Sequence, residues 1–101
     1  MTPQFFLSQP AIDDITEIAD YITSQSGLAQ GEYFLAKLDE KFAHIARFPK
    51  LGRQRDDIFP GVKSLSVDNY LVFYTATPSG VDILRVVSGY RDLKMLFEEA
   101  D

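Results

Sequence analysis

The hydrophobic pattern of this chain changes period once, between Pro49 and Val62, and that change limits the folds open to it. Before Pro49, apolar residues recur three and four apart, the spacing of one helix face. From Val62 they alternate, the spacing of a strand with two unlike faces. At 101 residues the chain is expected to form a single domain, because one core commonly serves about 100–150 residues. Helices and a sheet must therefore share that core, which is the α+β class. The 46% of hydrophobic residues is enough to fill it, so wholesale disorder is excluded.

Gln4 to Leu7 is a short apolar strand candidate. Ser8 stands where a helix N-cap belongs, since its hydroxyl can accept a bond from a first-turn N–H that has no intrahelical partner. Pro10 is tolerated in that turn, and Asp13 and Asp14 are expected near the positive end of the helix dipole. Ile12, Ile15, Ala19 and Ile22, with Ile18 beside them, form the expected apolar stripe, and Gln25-Ser26-Gly27 closes the helix. A second helix is expected from about Leu28 to Arg47. Its stripe is Phe34 or Leu35, then Leu38, Phe42 and Ile45, and Pro49 stops it. Two amphipathic helices joined through Gly27 make an antiparallel hairpin.

Residues 50–61 carry turn formers and no sustained period, so they read as a loop. Lys63, Leu65 and Val67 then alternate with Ser64 and Ser66, and Asp68-Asn69 is a hairpin turn candidate. Tyr70 to Thr75 is apolar on both faces, the composition of a central strand. After the turn Thr77 to Gly80, Val81 to Val87 is the last strand, and Arg91 to Glu98 a final short helix with Leu93 and Leu96 or Phe97 facing inward. The expected order is β-α-α-β-β-β-α.

Composition removes several kinds of chemistry. With no cysteine there is no disulfide framework, thiolate metal site or cysteine nucleophile. The single histidine, His44, excludes a poly-histidine zinc site and is expected at the surface of the second helix. Neither a metal nor a cofactor is expected. Met1 to Leu7 has no charged n-region and too short an apolar run for a signal peptide, so a cytoplasmic location is expected, with no membrane partner.

Fifteen acids against ten bases give a net charge of -5, which opposes a general nucleic-acid coat. The charge is nevertheless divided. Residues 1–46 hold seven acids and only Lys37 and Lys41 as bases, whereas Arg47, Lys50, Arg53 and Arg55 follow one another with no acid between them.

Several short runs, taken in order, resemble the RelE/ParE superfamily of bacterial type II toxins, and its ParE branch more closely. They are Leu7-Ser8 with Ala11, Asp14-Ile15, Ile18 and Tyr21-Ile22; Phe48-Pro49 with Gly52-Arg53 and Arg55; Pro60 to Ser64; Tyr70 to Tyr74; and Ile83 to Val87 with Gly89 and Arg91-Asp92-Leu93. The resemblance covers nearly the whole chain. Each run is weak alone; their order and spacing are specific to the superfamily and much less so to one target. It implies a helical hairpin packed on a twisted antiparallel sheet, and a cognate antitoxin, ParD-like and of the ribbon-helix-helix type, that wraps and neutralises the toxin. ParE-like members poison DNA gyrase, whereas RelE-like members cut mRNA on the ribosome. A third reading is an antitoxin-binding module without toxicity.

The resemblance would give nuclease work to a cluster of cations and a C-terminal Tyr, for which this chain offers Arg53, Arg55, Lys63, Arg85, Arg91 and Tyr90. The same six are the candidates for contact with a protein target. The negative balance and the acidic end Glu98-Glu99-Ala100-Asp101 favour protein recognition over ribosomal entry. Arg53 and Arg55 read equally as solvated loop charge. Arg85 interrupts an apolar strand and must reach water or a carboxylate, with Asp92 or an acid on a neighbouring element as the structural alternative. Tyr90 reads also as a packed aromatic. Tyr21, Tyr33, Tyr70 and Tyr74 are expected at the edge of the core. Phe5 and Phe6 point to opposite faces of their strand, and one of them is the candidate for an antitoxin-binding surface.

Overall fold

The structure is a computed structural model that describes residues 2–89. Its elements are β1 (Gln4–Leu7), α1 (Gln9–Ser26), α2 (Leu28–Arg47), a single 3-10 turn (Pro49–Leu51), β2 (Arg53–Gln54), β3 (Lys63–Val67), β4 (Tyr70–Thr77) and β5 (Gly80–Ser88). The strand β2 lies inside the expected loop; two polar residues are too few to show a period. The expected final helix, Arg91 to Glu98, lies outside the described residues.

The sheet order is β1-β5-β4-β3-β2. Neighbours run antiparallel except β1, which pairs in parallel with β5, so the sheet is mixed where an antiparallel one was implied. Alternation reveals which residues share a face but not the direction of the neighbouring strand. The two helices carry the chain away after β1, and the antiparallel succession β3, β4, β5 brings it back alongside. Gly80 is required at the meeting point. Its φ is +150°, and a Cβ there would collide with the backbone of Gln4.

Ser8 caps α1 as its sequence position implies: Oγ accepts from the Ala11 N–H at 3.1 Å. Its hydroxyl also donates to the Leu84 carbonyl at 2.8 Å, which ties the start of the helix to β5. Two expectations for α1 fail. The helix starts at Gln9, so Asp13 and Asp14 fall beyond the first turn. Ile12 is 40% exposed, and the inward stripe is instead buried Ala11 and Ala19 with partly buried Ile15, Ile18 and Ile22. In α2 the inward residue is Phe34, not Leu35, followed by Leu38, Phe42 and Ile45.

These helix residues pack on one side of the sheet against Val67, Val72, Tyr74, Val81, Ile83 and Val86. The other side holds a smaller cluster, Val62, Phe73 and Val87, covered partly by Ile58, Leu71 and Leu84. Ile58 and Val62 belong to the loop that doubles back after β2, and the Arg55 N–H closes it by donating to the Val62 carbonyl at 2.8 Å. The central strand β4 is thus buried on both faces, as its unbroken apolar run requires.

The tyrosines divide. Tyr74 is fully buried and Tyr70 half-buried on the Phe34 ring, whereas Tyr21 and Tyr33 are 60% and 62% exposed and not at the core edge. His44 is exposed, with its ring 5.2 Å from that of Phe48. Among the described residues no helix is long and apolar enough to cross a membrane.

Candidate functional site

The sequence leaves Arg85 between structural pairing and partner contact, and its surroundings decide what it does in the fold. β1 accompanies β5 only as far as Ile83, opposite Leu7. Beyond that point the register slips: Tyr74 pairs with Ile83 but Phe73 with Arg85, so Leu84 is an extra residue, a bulge. Helix α1 covers the edge that β1 leaves open. Asp14 accepts the Val86 N–H at 3.0 Å and receives the Arg85 guanidinium as a fork, Nε to Oδ2 at 2.8 Å and Nη2 to Oδ1 at 3.0 Å. The two side chains are 14% and 13% exposed. A two-pronged, charge-assisted pair at this depth holds α1 against β5. Arg85 is therefore engaged within the fold by an acid on a neighbouring element.

The opposite corner is built around Tyr74. Its hydroxyl accepts the Gly52 N–H at 2.7 Å and donates to the Pro49 carbonyl at 2.7 Å. One buried phenol thereby pins both ends of the turn that follows α2. Gly52 is needed for this, because a Cβ there would overlap the Tyr74 ring and hydroxyl. Burial raises the Tyr74 pKa above its ordinary value, and the hydrogen bond from Gly52 works in the other direction.

The pinned turn forms one wall of an open groove of about 840 Å³. Phe48 and Leu51, 52% and 51% exposed, give it an apolar surface. Arg47, Lys50 and Lys63 line it, and among the described residues no carboxylate does. Lys63 reaches the groove because it shares the helix-facing side of the sheet with its partner Tyr74, beyond the point where α2 stops.

The remaining expected site residues are scattered. Arg53 pairs with Ser64 while Lys63 pairs with Gln54, so Arg53 and Lys63 occupy successive positions and point to opposite faces. Arg55 is paired with Asp57 at 3.1 Å and lies 5.8 Å over the Phe73 ring. Phe5 packs on Phe42, ring to ring at 5.4 Å, which leaves Phe6, 49% exposed, as the surface member of that pair. Tyr90 and Arg91 lie outside the described residues. Among the described residues no group of His, Asp or Glu is placed to hold a metal.

A family model for the ParE toxin of type II toxin-antitoxin systems, parDE, matches residues 5–93. The chain belongs to the ParE toxin family. Toxin ParE1 of Mycobacterium tuberculosis is 32% identical over 94 residues, covering 92% of this chain and 96% of that toxin. Toxin ParE3 of Caulobacter vibrioides is 28% identical over 86 residues, covering 85% and 86%. A solved chromosomal ParDE system from P. aeruginosa contains a chain that superposes with a TM-score of 0.73 at 17% identity, over 86% of this chain and 96% of that one. That likeness shows the fold. The chain is thus a ParE-type toxin of a type II toxin–antitoxin system.

Within this family member, Arg47 and Lys50 of the groove lie outside the sequence-based candidates, as do Asp14 and Tyr74, which organise the site. Asp14 read as a first-turn acid, yet its spacing of three from Ala11 and four from Ile18 already placed it on the inward face of α1. Tyr74 read as one aromatic among several. Nothing in its own position distinguishes it; only its pairing with a glycine in a distant turn does.

Proposed function

We infer that this ParE-family toxin acts by binding DNA gyrase, without bond-breaking chemistry of its own, and that a cognate antitoxin of the ribbon-helix-helix type neutralises it. The observation that carries this reading is the dispersal of the candidate cations. Cleavage of RNA requires charges and a proton-transfer group gathered around one phosphate, because stabilisation of a developing charge falls off with distance. Here Arg85 is held by Asp14, Arg55 by Asp57, and Arg53 and Lys63 face opposite sides of the sheet. Such an arrangement suits a binding surface better than a phosphoryl-transfer centre. The net charge of -5 supports the same choice, since entry into an RNA-lined site favours a basic protein.

The test is to incubate the purified chain with gyrase, supercoiled plasmid and ATP, then denature and digest the protein. Protein-linked DNA breaks should accumulate with the dose of the chain, and addition of the cognate antitoxin should prevent them. Cutting of mRNA on ribosomes without any effect on gyrase would establish the nuclease reading. Neither effect, with no harm to growth on induction, would establish an antitoxin-binding module without toxicity.

A further inference from the structure

Of the eight lysines and arginines among the described residues, three form ion pairs and five do not; of those five, Lys41 and Arg53 lie off the groove beside the pinned turn. Lys37, Arg55 and Arg85 each hold a carboxylate within the chain. Arg47, Lys50 and Lys63 form no ion pair among the described residues, and all three line the groove beside the pinned turn. The chain carries a net charge of -5, yet none of the acids among the described residues lines this groove. The surface between the cations is not polar: Phe48 and Leu51 stand about half exposed there, with Ala76 behind them. Exposed apolar side chains ringed by like charges are a recurring form of a protein-docking surface.

The groove is also preformed. Its turn is fixed by the two hydrogen bonds of Tyr74, so little ordering cost is left for a ligand to meet.

We propose that this groove docks an acidic segment of a partner protein, with apolar side chains seated on Phe48 and Leu51 and carboxylates meeting Arg47, Lys50 and Lys63. Charge complementarity selects the acid, and the apolar floor selects a peptide over a bare phosphate chain. A nucleic acid carries its charges along its whole length and would meet the acidic remainder of the protein, whereas a short segment sees only the local cations within a Debye length of about 8 Å. A second copy of the chain is disfavoured by symmetry. The groove would have to meet a different, acidic surface such as the α1 exterior, and a head-to-tail contact of that kind does not close a dimer. This inference stands apart from the gyrase reading, because its test needs no gyrase.

The experiment is selection of phage-displayed random dodecapeptides on the immobilised full chain, with counter-selection on the Lys50→Glu/Lys63→Glu variant. Recovered peptides are then titrated by fluorescence anisotropy against the wild-type chain, that variant, Leu51→Ser, and Glu17→Lys as a remote control. All four positions lie at the surface or beside the groove, so circular dichroism and the thermal midpoint verify folding. The expected peptides combine Asp or Glu with apolar residues. Their affinity should fall about tenfold or more in the charge-reversed variant, fall in Leu51→Ser, and stay unchanged in Glu17→Lys. Three results would overturn the proposal. The first is the absence of peptides that depend on Lys50 and Lys63, or recovery of basic or uncharged ones. The second is tighter binding of a thymidine dodecamer than of any peptide, with the same dependence. The third is a rise in mass with concentration that the charge reversal abolishes, which assigns the groove to a second copy.

Discussion

The two ends of the sheet use the same kind of side chain for opposite purposes. At the β5 edge, Arg85 is drawn inward and answered by Asp14, and the pair closes the gap that β1 leaves. At the turn after α2, Arg47, Lys50 and Lys63 line an apolar groove that no acid among the described residues lines, on a backbone held from below by Tyr74. A cation's place in the sequence does not tell these uses apart. What separates them is whether the packing of another element delivers a carboxylate. The β5 edge should therefore respond to substitution as folded structure does, and the groove as a binding surface does.

The sharpest way to break this comparison is Asp14→Ala. It removes the Asp14 carboxylate from a largely buried guanidinium and from the Val86 N–H, and should cost about 3–5 kcal/mol in chemical denaturation. Asp14→Asn keeps an acceptor for the backbone and should lose less. A loss within experimental error for Asp14→Ala would mean that the β5 edge does not depend on the pair.

The next effect is at the other end. Tyr74→Phe removes both hydrogen bonds of the turn while preserving the ring, and should cost about 1–3 kcal/mol. Gly52→Ala should destabilise in the same range by crowding that hydroxyl. The turn should then hold the groove less firmly, which peptide affinity would register. Tyr74 also sets a pH dependence. Its folded pKa lies above the ordinary 10.0, so its contribution is fully present below pH 10 and is lost as pH rises through the folded value. The wild-type chain should lose stability in that alkaline window more steeply than Tyr74→Phe, as melting curves across the range would show.

The smallest effect is expected for Lys37. Its pKa is raised chiefly by the hydrogen bond to Asp68, but the pair is exposed, at 3.1 Å between Nζ and Oδ1. Lys37→Met should leave the thermal midpoint nearly unchanged, and high salt should erase what difference there is. A large loss there would show that exposed charges also hold this fold together.

Much of this architecture was legible in the residues. Ser8 announced the start of α1, Gly27 its end, and Pro49 the end of α2, because each acts through local backbone chemistry. The apolar run from Tyr70 announced a strand buried on both faces. The parallel seat of β1 was hidden, since it depends on where two helices return the chain. The sequence offers Asp92 or an acid on a neighbouring element as the Arg85 acceptor, and does not single out Asp14, which lies 71 positions away. For the site, the acid-free run from Arg47 to Arg55 marks a basic segment, but the candidates drawn from it are Arg53 and Arg55, not Arg47 and Lys50. The structure separates them: Arg47 and Lys50 line the groove, Arg53 faces the other way and Arg55 is paired with Asp57. Strand register and loop return decide that separation, and neither is written in composition.

The mode of action proposed for this toxin is binding. Calorimetric titration of purified gyrase with the purified chain, in the absence of RNA, tests it most directly. Saturable heat at a fixed stoichiometry is predicted, lost when the cognate antitoxin is bound first. No heat with gyrase, together with cleavage of ribosome-bound mRNA by the same preparation, would contradict it.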